Sequence, residues 1–276
     1  MSFIYVLIIC LAAIFILFVL TLMGKRHSVP DELKSAKYAH RGLHNKPTVP
    51  ENSLSAFEKA VLAGYGIELD VHLMRDGRLA VIHDSSLKRT AGADINIEDL
   101  TAKDLENYYL EGTTEKIPTL KQVLNLVDGK VPLIIELKSQ SNTNQLCSAT
   151  VKELEDYKGL WCMESFDPRC VLWFRKNRPD IIRGQLSQNF FKDKDSKLSL
   201  PLKIILTLLF FNFLSRPDFV AFRLSHKNTL SFVLATKLWG IDGFVWTIRT
   251  KEALALSDKL GFTPIFEEIL TKNDNQ

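Results

Sequence analysis

Residues 66–84 read GIELDVHLMRDGRLAVIHD. Two apolar runs, 66–73 and 79–83, are separated by only five residues, MRDGR at 74–78. A parallel crossover needs a dozen or more residues, so these runs must pair antiparallel, through a hairpin turned at Asp76-Gly77. Glu68 and Asp70 stand two apart on the first run. On a strand that spacing puts both carboxylates on one face. The second run ends in His83-Asp84.

Outward from this hairpin the rhythm changes. Strand patterns fall at 37–40, 66–73, 131–137, 160–166, 181–186, 218–224, 243–248 and 262–266. Helical patterns lie between most of them, at 53–63, 119–127, 144–155, 229–238 and 250–259. Ser55 and Glu58 have capping-box spacing at the start of the first. Strands alternating with helices imply a parallel sheet. Eight such units in about 240 residues fit the α/β class as a (β/α)8 TIM barrel. The run 79–83 is then a short rim hairpin and not a stave. An open doubly wound sheet is the competing architecture.

The chain has 276 residues, 46% of them hydrophobic and 24% charged, with 13 glycines and 10 prolines. These values exclude wholesale disorder and a collagen-like chain. A net charge of +3 is too mild and too evenly spread to point to nucleic acid. Cys10, Cys147, Cys162 and Cys170 form no CxxC pair. That argues against a disulfide framework and agrees with a reducing compartment.

Residues 3–23 read FIYVLIICLAAIFILFVLTLM, without a charge. A bilayer core needs about 20 apolar residues in a helix. No basic residue precedes the run and no small-residue cleavage site closes it, so an uncleaved anchor is expected over a signal peptide. Lys25, Arg26, Lys34 and Lys37 follow it. The positive-inside rule then predicts a single-pass cell-membrane protein with its C-terminal domain in the cytoplasm. The expected organisation is an anchor over 1–24, a juxtamembrane linker over 25–34 and a barrel over 35–272. A second apolar stretch, LSLPLKIILTLLFFNFL at 198–214, carries one charge, Lys203. It follows the fifth strand and should emerge on the catalytic face. Three readings stay open: a buried barrel helix, a helix lying in the membrane interface, or a second span.

Active sites of such barrels lie at the C-terminal ends of the strands. Glu68 and Asp70, with Glu136 from the next strand, offer three carboxylates and no cysteine. That set suits one divalent cation, Ca²⁺ or Mg²⁺, over zinc. His40 and His83 end apolar strands and make an acid–base pair. Arg41 and Lys138 supply positive charge for a phosphate. Cation, Arg, Lys and two His specify phosphoryl transfer better than acyl or hydride chemistry.

These residues resemble the glycerophosphodiester phosphodiesterase family. The matching pieces are AHRG at 39–42, PENSLSAF at 50–57, IELDVHLMRDG at 67–77, VIHD at 81–84, KIPTLKQVL at 116–124 and IIELK at 134–138, with weaker SF at 165–166 and VWT at 245–247. The resemblance implies a (β/α)8 barrel, a divalent metal, and cleavage of a glycerophosphodiester to glycerol 3-phosphate and an alcohol. It implies His40 and His83 as acid and base, Glu68, Asp70 and Glu136 as metal ligands, and Arg41 and Lys138 on the phosphate. Glu51 and Asn52 match the family's supporting pair, although Asn52 also suits a helix N-cap. Trp246 falls in a supporting position. With the apolar segments, lysophospholipids join small diesters as expected substrates, and the membrane becomes a partner. A phospholipase C-like or D-like hydrolase and a non-catalytic lipid-binding module are the alternatives. Two departures stand out. Arg249 lies where the family usually has Asn after its WTV run, and Phe266-Glu267-Glu268 replaces a TD-and-Pro run. Both are expected to bear on headgroup specificity more than on the chemistry.

Overall fold

The computed structural model describes residues 3–24 and 27–267. Helix α1 (Phe3–Thr21) carries the apolar N-terminal run, and α2 (Asp31–Ser35) leads into β1 (Tyr38–His40). Then come α3 (Leu54–Leu62), β2 (Gly66–Leu73), β3 (Leu79–Val81), α4 (Lys88–Ala91), α5 (Leu120–Val127) and β4 (Leu133–Leu137). The chain continues through α6 (Thr143–Glu153), β5 (Trp161–Ser165), α7 (Pro168–Asn177), β6 (Arg183–Ser187), α8 (Leu200–Thr207) and α9 (Asn212–Ser215). It closes with β7 (Phe219–Arg223), α10 (Leu230–Lys237), β8 (Asp242–Ile248), α11 (Lys251–Leu260) and β9 (Thr263–Phe266).

Eight strands pair in parallel in the order β1-β2-β4-β5-β6-β7-β8-β9, and β9 returns to β1, so the sheet is a closed barrel. The ninth strand, β3, pairs antiparallel with β2, Val71 opposite Val81. The hairpin is the one the sequence predicts. Gly77 takes φ +80 in its turn, a conformation that costs glycine little. Lys25 and Arg26, and residues 268–272 of the expected barrel, lie outside the described residues.

Strand alternation builds two apolar layers. Ile67, Leu69, Leu133, Ile135, Val220 and Phe222 face outward to the helices. Tyr38, Ile134, Cys162, Phe219, Phe244 and Ile265 fill the barrel interior. Val29 and Leu33 join that interior layer, so the stretch before β1 is packed against the barrel floor.

The first barrel helix starts differently from the expectation. Ser53, not Ser55, caps α3: it is extended (φ −99, ψ 157) and its side chain accepts from the Ala56 amide at 3.2 Å. Ser55 already lies in the first helical turn. Helix α7 had no counterpart among the expected helices. Asp167 caps it, Pro168 opens it, and its buried face is Cys170, Val171 and Phe174.

The segment 198–214 is neither a span nor a buried wall helix. α8 has eight residues, and only Thr207 among them is buried. Thr207 is held at the mouth end of the barrel, where its side chain accepts from Phe190 N and its carbonyl from Ser231 Oγ. α9 then packs on α7 and leads down to β7.

Candidate active site

The chemistry-bearing residues meet because of register. His40 of β1 pairs with Glu68 of β2, Asp70 with Glu136 of β4, and Glu136 with Glu164 of β5. All five side chains share the inward parity of the apolar layer beneath them. Glu68, Asp70, Glu136 and Glu164 are buried.

Ligand atoms of Glu68, Asp70 and Glu136 lie within 4.8 Å of one another. Lys138 bridges two of them, 2.9 Å from Asp70 Oδ1 and 2.7 Å from Glu136 Oε1. Burial, then repulsion from Asp70, raises the Glu68 carboxyl well above its usual range. Burial pushes Glu136 up to about 7 against the pull of Lys138. Burial, then Glu136, raises Glu164, whose Oε2 is buried without a hydrogen-bond partner among the described residues. Burial works the same way on Asp70, but Lys138 and Arg41 outweigh it and hold that carboxyl low. Carboxyls this close cannot all ionise without added positive charge. An all-oxygen set of this kind fits a hard divalent cation.

Both histidines are oriented by a carboxylate. His40 Nδ1 lies 2.6 Å from Glu267 Oε1, and His83 Nδ1 lies 2.6 Å from Asp84 Oδ1. A carboxylate only accepts, so each Nδ1 donates and each Nε2 is left for the site. His40 Nε2 is 3.9 Å from Glu68 Oε2. Burial lowers His40 against the Glu267 hydrogen bond. Burial, with the charges of Lys138 and Arg41, pushes His83 down to about 4.

Arg41 and Asn52 both take positive φ, 57 and 55, and Asn52 N donates to Arg41 O at 3.0 Å. Gly42 closes that turn. A Cβ there would stand 2.8–3.0 Å from Ala56 atoms, which explains the glycine of the AHRG run. Arg41 Nη1 donates to Glu51 at 2.8 Å, and Arg41 Nε is 3.3 Å from Asp70. Asn52 Nδ2 donates to Asp70 Oδ2 at 2.8 Å, so Asn52 serves the carboxylate cluster and Ser53 does the capping.

One cavity of about 890 Å³ is lined by His40, Arg41, Glu51, Glu68, His83, Glu136 and Trp246. Asp70 and Asn52 do not line it. Lys138 borders a neighbouring cavity. Trp246 stands edge-on to Phe166 at 5.7 Å and forms part of an apolar wall with Leu186 and Leu224.

Sequence reasoning missed Glu164 and Arg89. A glutamate inside the apolar run 160–166 was the signal for the first. Arg89 gave none: it reaches Glu51 at 2.7 Å and Asp84 at 2.5 Å from a loop-borne helix. Arg249 and Glu267 lie beside His40 at the cavity mouth. Arg249 Nε donates to Glu267 Oε2 at 2.6 Å, and Glu267 holds His40. Glu268 lies outside the described residues.

Residues 40–268 match the model of the glycerophosphoryl diester phosphodiesterase family. A glycerophosphodiester phosphodiesterase of Caldanaerobacter subterraneus subsp. tengcongensis is 29% identical over 254 residues, covering 86% of this chain and 95% of that one. A human lysophospholipase D, GDPD1, is 25% identical over 252 residues and 80% of each chain. A phosphodiesterase of Oleispira antarctica, solved with its product sn-glycerol-3-phosphate, superposes with a TM-score of 0.68 at 22% identity, covering 84% of this chain and 92% of that one. The match to the family model runs from the end of β1 through every strand end described above, and the chain belongs to the glycerophosphoryl diester phosphodiesterase family.

Proposed function

We propose that this phosphodiesterase cleaves glycerophosphodiesters, single-chain lysophospholipids among them, to glycerol 3-phosphate or its acyl ester and a free alcohol. The observation that carries the reading is the pair His40 and His83. Each is fixed through Nδ1 by a carboxylate, and each borders one cavity that also holds the buried carboxylate cluster.

One histidine Nε2 takes the proton from the glycerol hydroxyl adjacent to the phosphodiester. That oxygen attacks phosphorus and displaces the alcohol, which is protonated by the other histidine. Water then opens the cyclic phosphate with the two roles reversed. Arg41 and Lys138 offset the phosphate charge, while Glu51 and Asn52 hold Arg41 and Asp70 in place. A divalent cation, Ca²⁺ or Mg²⁺, held by Glu68, Asp70 and Glu136, supplies charge neutralisation of the phosphodiester when bound. A 1-acyl lysophospholipid keeps its neighbouring hydroxyl, so the same step applies to it. A diacyl lipid has none.

The N-terminal helix is read as a single-pass cell-membrane anchor and the barrel as cytoplasmic. What supports the anchor is packing. Leu22 is fully buried, and Trp239 Nε1 donates to Val19 O at 2.9 Å, so the end of α1 is part of the fold. The flanking Lys25 and Arg26 support the orientation.

The test offers glycerophosphocholine, lysophosphatidylcholine and diacyl phosphatidylcholine to the detergent-solubilised full chain, with Ca²⁺, Mg²⁺ or EDTA. Glycerol phosphate, lysophosphatidic acid and choline are quantified. Metal-dependent release from the first two and none from the third is expected. Turnover of the diacyl lipid would overturn the hydroxyl-attack mechanism. No turnover of any substrate would overturn the reading.

A further inference from the structure

We infer that α8 is an interfacial element that seats the barrel mouth on the lipid surface entered by α1, so that lysophospholipid reaches the cavity from the membrane. This rests on the anchor and phosphodiesterase readings above.

The seat of α1 on the barrel is the first observation. Gly24 lies against Pro217 and Ile241, and His27 N donates to Asp218 at 3.0 Å. Those partners lead into β7 and β8, at the floor. Six residues before Gly24, Phe18 meets Phe210 edge-on at 5.8 Å. Phe210 lies three residues past Thr207, which is bonded to Phe190 and Ser231 at the mouth end. Val19, the residue after Phe18, accepts from Trp239 just before β8 at 2.9 Å, so α1 lays its last turn on the barrel wall between Trp239 and the stretch that follows α8. Its 19 residues reach about 28 Å, close to the ~30 Å hydrocarbon thickness. Little of it is spare. What touches its last turns lies near the bilayer boundary.

The second observation is α8 itself. Leu200 is 62% exposed, Leu202 44% and Ile204 37%. Leu200 and Ile204, four apart, share one face of the helix and Leu202 lies on the opposite one, and the core covers none of the three. A helix that exposes apolar side chains on two opposite faces is poorly suited to face water. At eight residues it is far too short to span. Phe191, 55% exposed, and Leu230, 52% exposed, extend the apolar rim on either side. Lys192, Lys194 and Lys197 flank it, with Asp193 and Asp195 between them. From this rim Phe190 packs edge-on to Phe166 at 6.2 Å, and Phe166 meets Trp246 in the cavity wall. The acyl chain of a bound lysophospholipid has an apolar route from cavity to bilayer along these rings.

The test uses the full chain in nanodiscs containing brominated-chain phosphatidylcholine. Cys147, Cys162 and Cys170 are buried, so a thiol fluorophore goes to Cys10 in the unmodified chain. It goes to Leu202→Cys or Leu62→Cys in a Cys10→Ser background. Leu62, 81% exposed on α3, lies across the barrel. Quenching at Cys10 and at 202, but not at 62, is the expected result. Quenching at Cys10 with 202 as dark to bromine as 62 overturns the docking and leaves the anchor standing. No quenching at Cys10 overturns both. A functional arm uses Leu200→Ser with Leu202→Ser. Vesicle-borne lysophosphatidylcholine turnover should fall roughly tenfold while soluble glycerophosphocholine turnover is unchanged. An equal effect on both substrates, or on neither, overturns the access route. Failure of the unmodified chain on both substrates would instead sink the phosphodiesterase reading, and the quenching pattern would still report docking.

Discussion

At the scale of single residues, the position that most separates this chain from the pattern it resembles is Glu267. Its carboxylate accepts from His40 Nδ1, and Arg249 holds its other oxygen at 2.6 Å. Glu267→Gln keeps the shape but offers a weaker, neutral acceptor and allows the wrong tautomer. The expected result is a kcat lowered roughly 10- to 100-fold with KM changed less than about twofold. Steady-state kinetics on glycerophosphocholine would show it, and a rise in KM alone would mean that Glu267 binds headgroup. Glu51 acts on stability. Burial would raise its carboxyl, but Arg89 and then Arg41 reverse this and bring it down to about 2. An unfolded glutamate titrates near 4.3. The folded value is the lower one, so the contribution is present above the unfolded value and is lost as pH falls from about 4.3 to about 2. Glu51→Gln should flatten the fall in urea midpoint across that window. Parallel loss in both proteins would argue against it. The motif residues were legible because their side-chain types announce chemistry. Glu164 and Arg89 were not, since one sits in an apolar run and the other in a loop whose path only the fold sets.

Elements carry the next lesson. The eight staves were readable because buried parallel strands are short apolar runs with turn signals between them, and the rim hairpin because five residues cannot make a crossover. Helix α7 was harder. Its buried residues, Cys170, Val171 and Phe174, sit among Arg169, Trp173, Arg175 and Lys176, and the apolar stripe is narrow. The stretch before β1 looked like a tether because Pro30, Asp31 and Glu32 dominate it, yet Val29 and Leu33 seal the floor. Tying β6 to β7 at that floor is a fully buried pair, Arg183 Nη1 3.4 Å from Asp218 Oδ2. Asp218 also accepts from the amides of His27 and Arg183. Asp218→Ala leaves a buried guanidinium short of its counter-charge and two amides short of an acceptor. The cost should be roughly 3–5 kcal/mol. Chemical denaturation of the solubilised chain measures it, and a loss under about 1 kcal/mol would mean that the carbonyls around Arg183 suffice.

On the scale of the whole molecule, sidedness and metal are linked to how the chain is used. On the proposed cytoplasmic orientation, protease added to sealed right-side-out vesicles should leave the barrel intact until the membrane is opened. Digestion before opening would place the mouth on the outer face. The metal prediction draws on the interior as one electrostatic unit. Glu68, Glu136 and Glu164 are all held above their usual range by burial and by neighbouring carboxylates, Asp70 among them, and Glu136 sits at about 7. Near neutral pH part of this cluster carries protons. A divalent cation favours the ionised form, so binding must release protons and must stabilise the folded chain over the unfolded one. At a hundred times its Kd the gain is about 2.7 kcal/mol, or roughly 5–10 °C in Tm for a barrel of this size. Adding Ca²⁺ or Mg²⁺ to EDTA-treated protein at pH 7 should therefore raise Tm, acidify a weakly buffered solution and restore turnover together. A Tm and pH unmoved by either ion, with turnover surviving EDTA, would take Glu68, Asp70 and Glu136 out of metal binding and leave Lys138 as their permanent counter-charge.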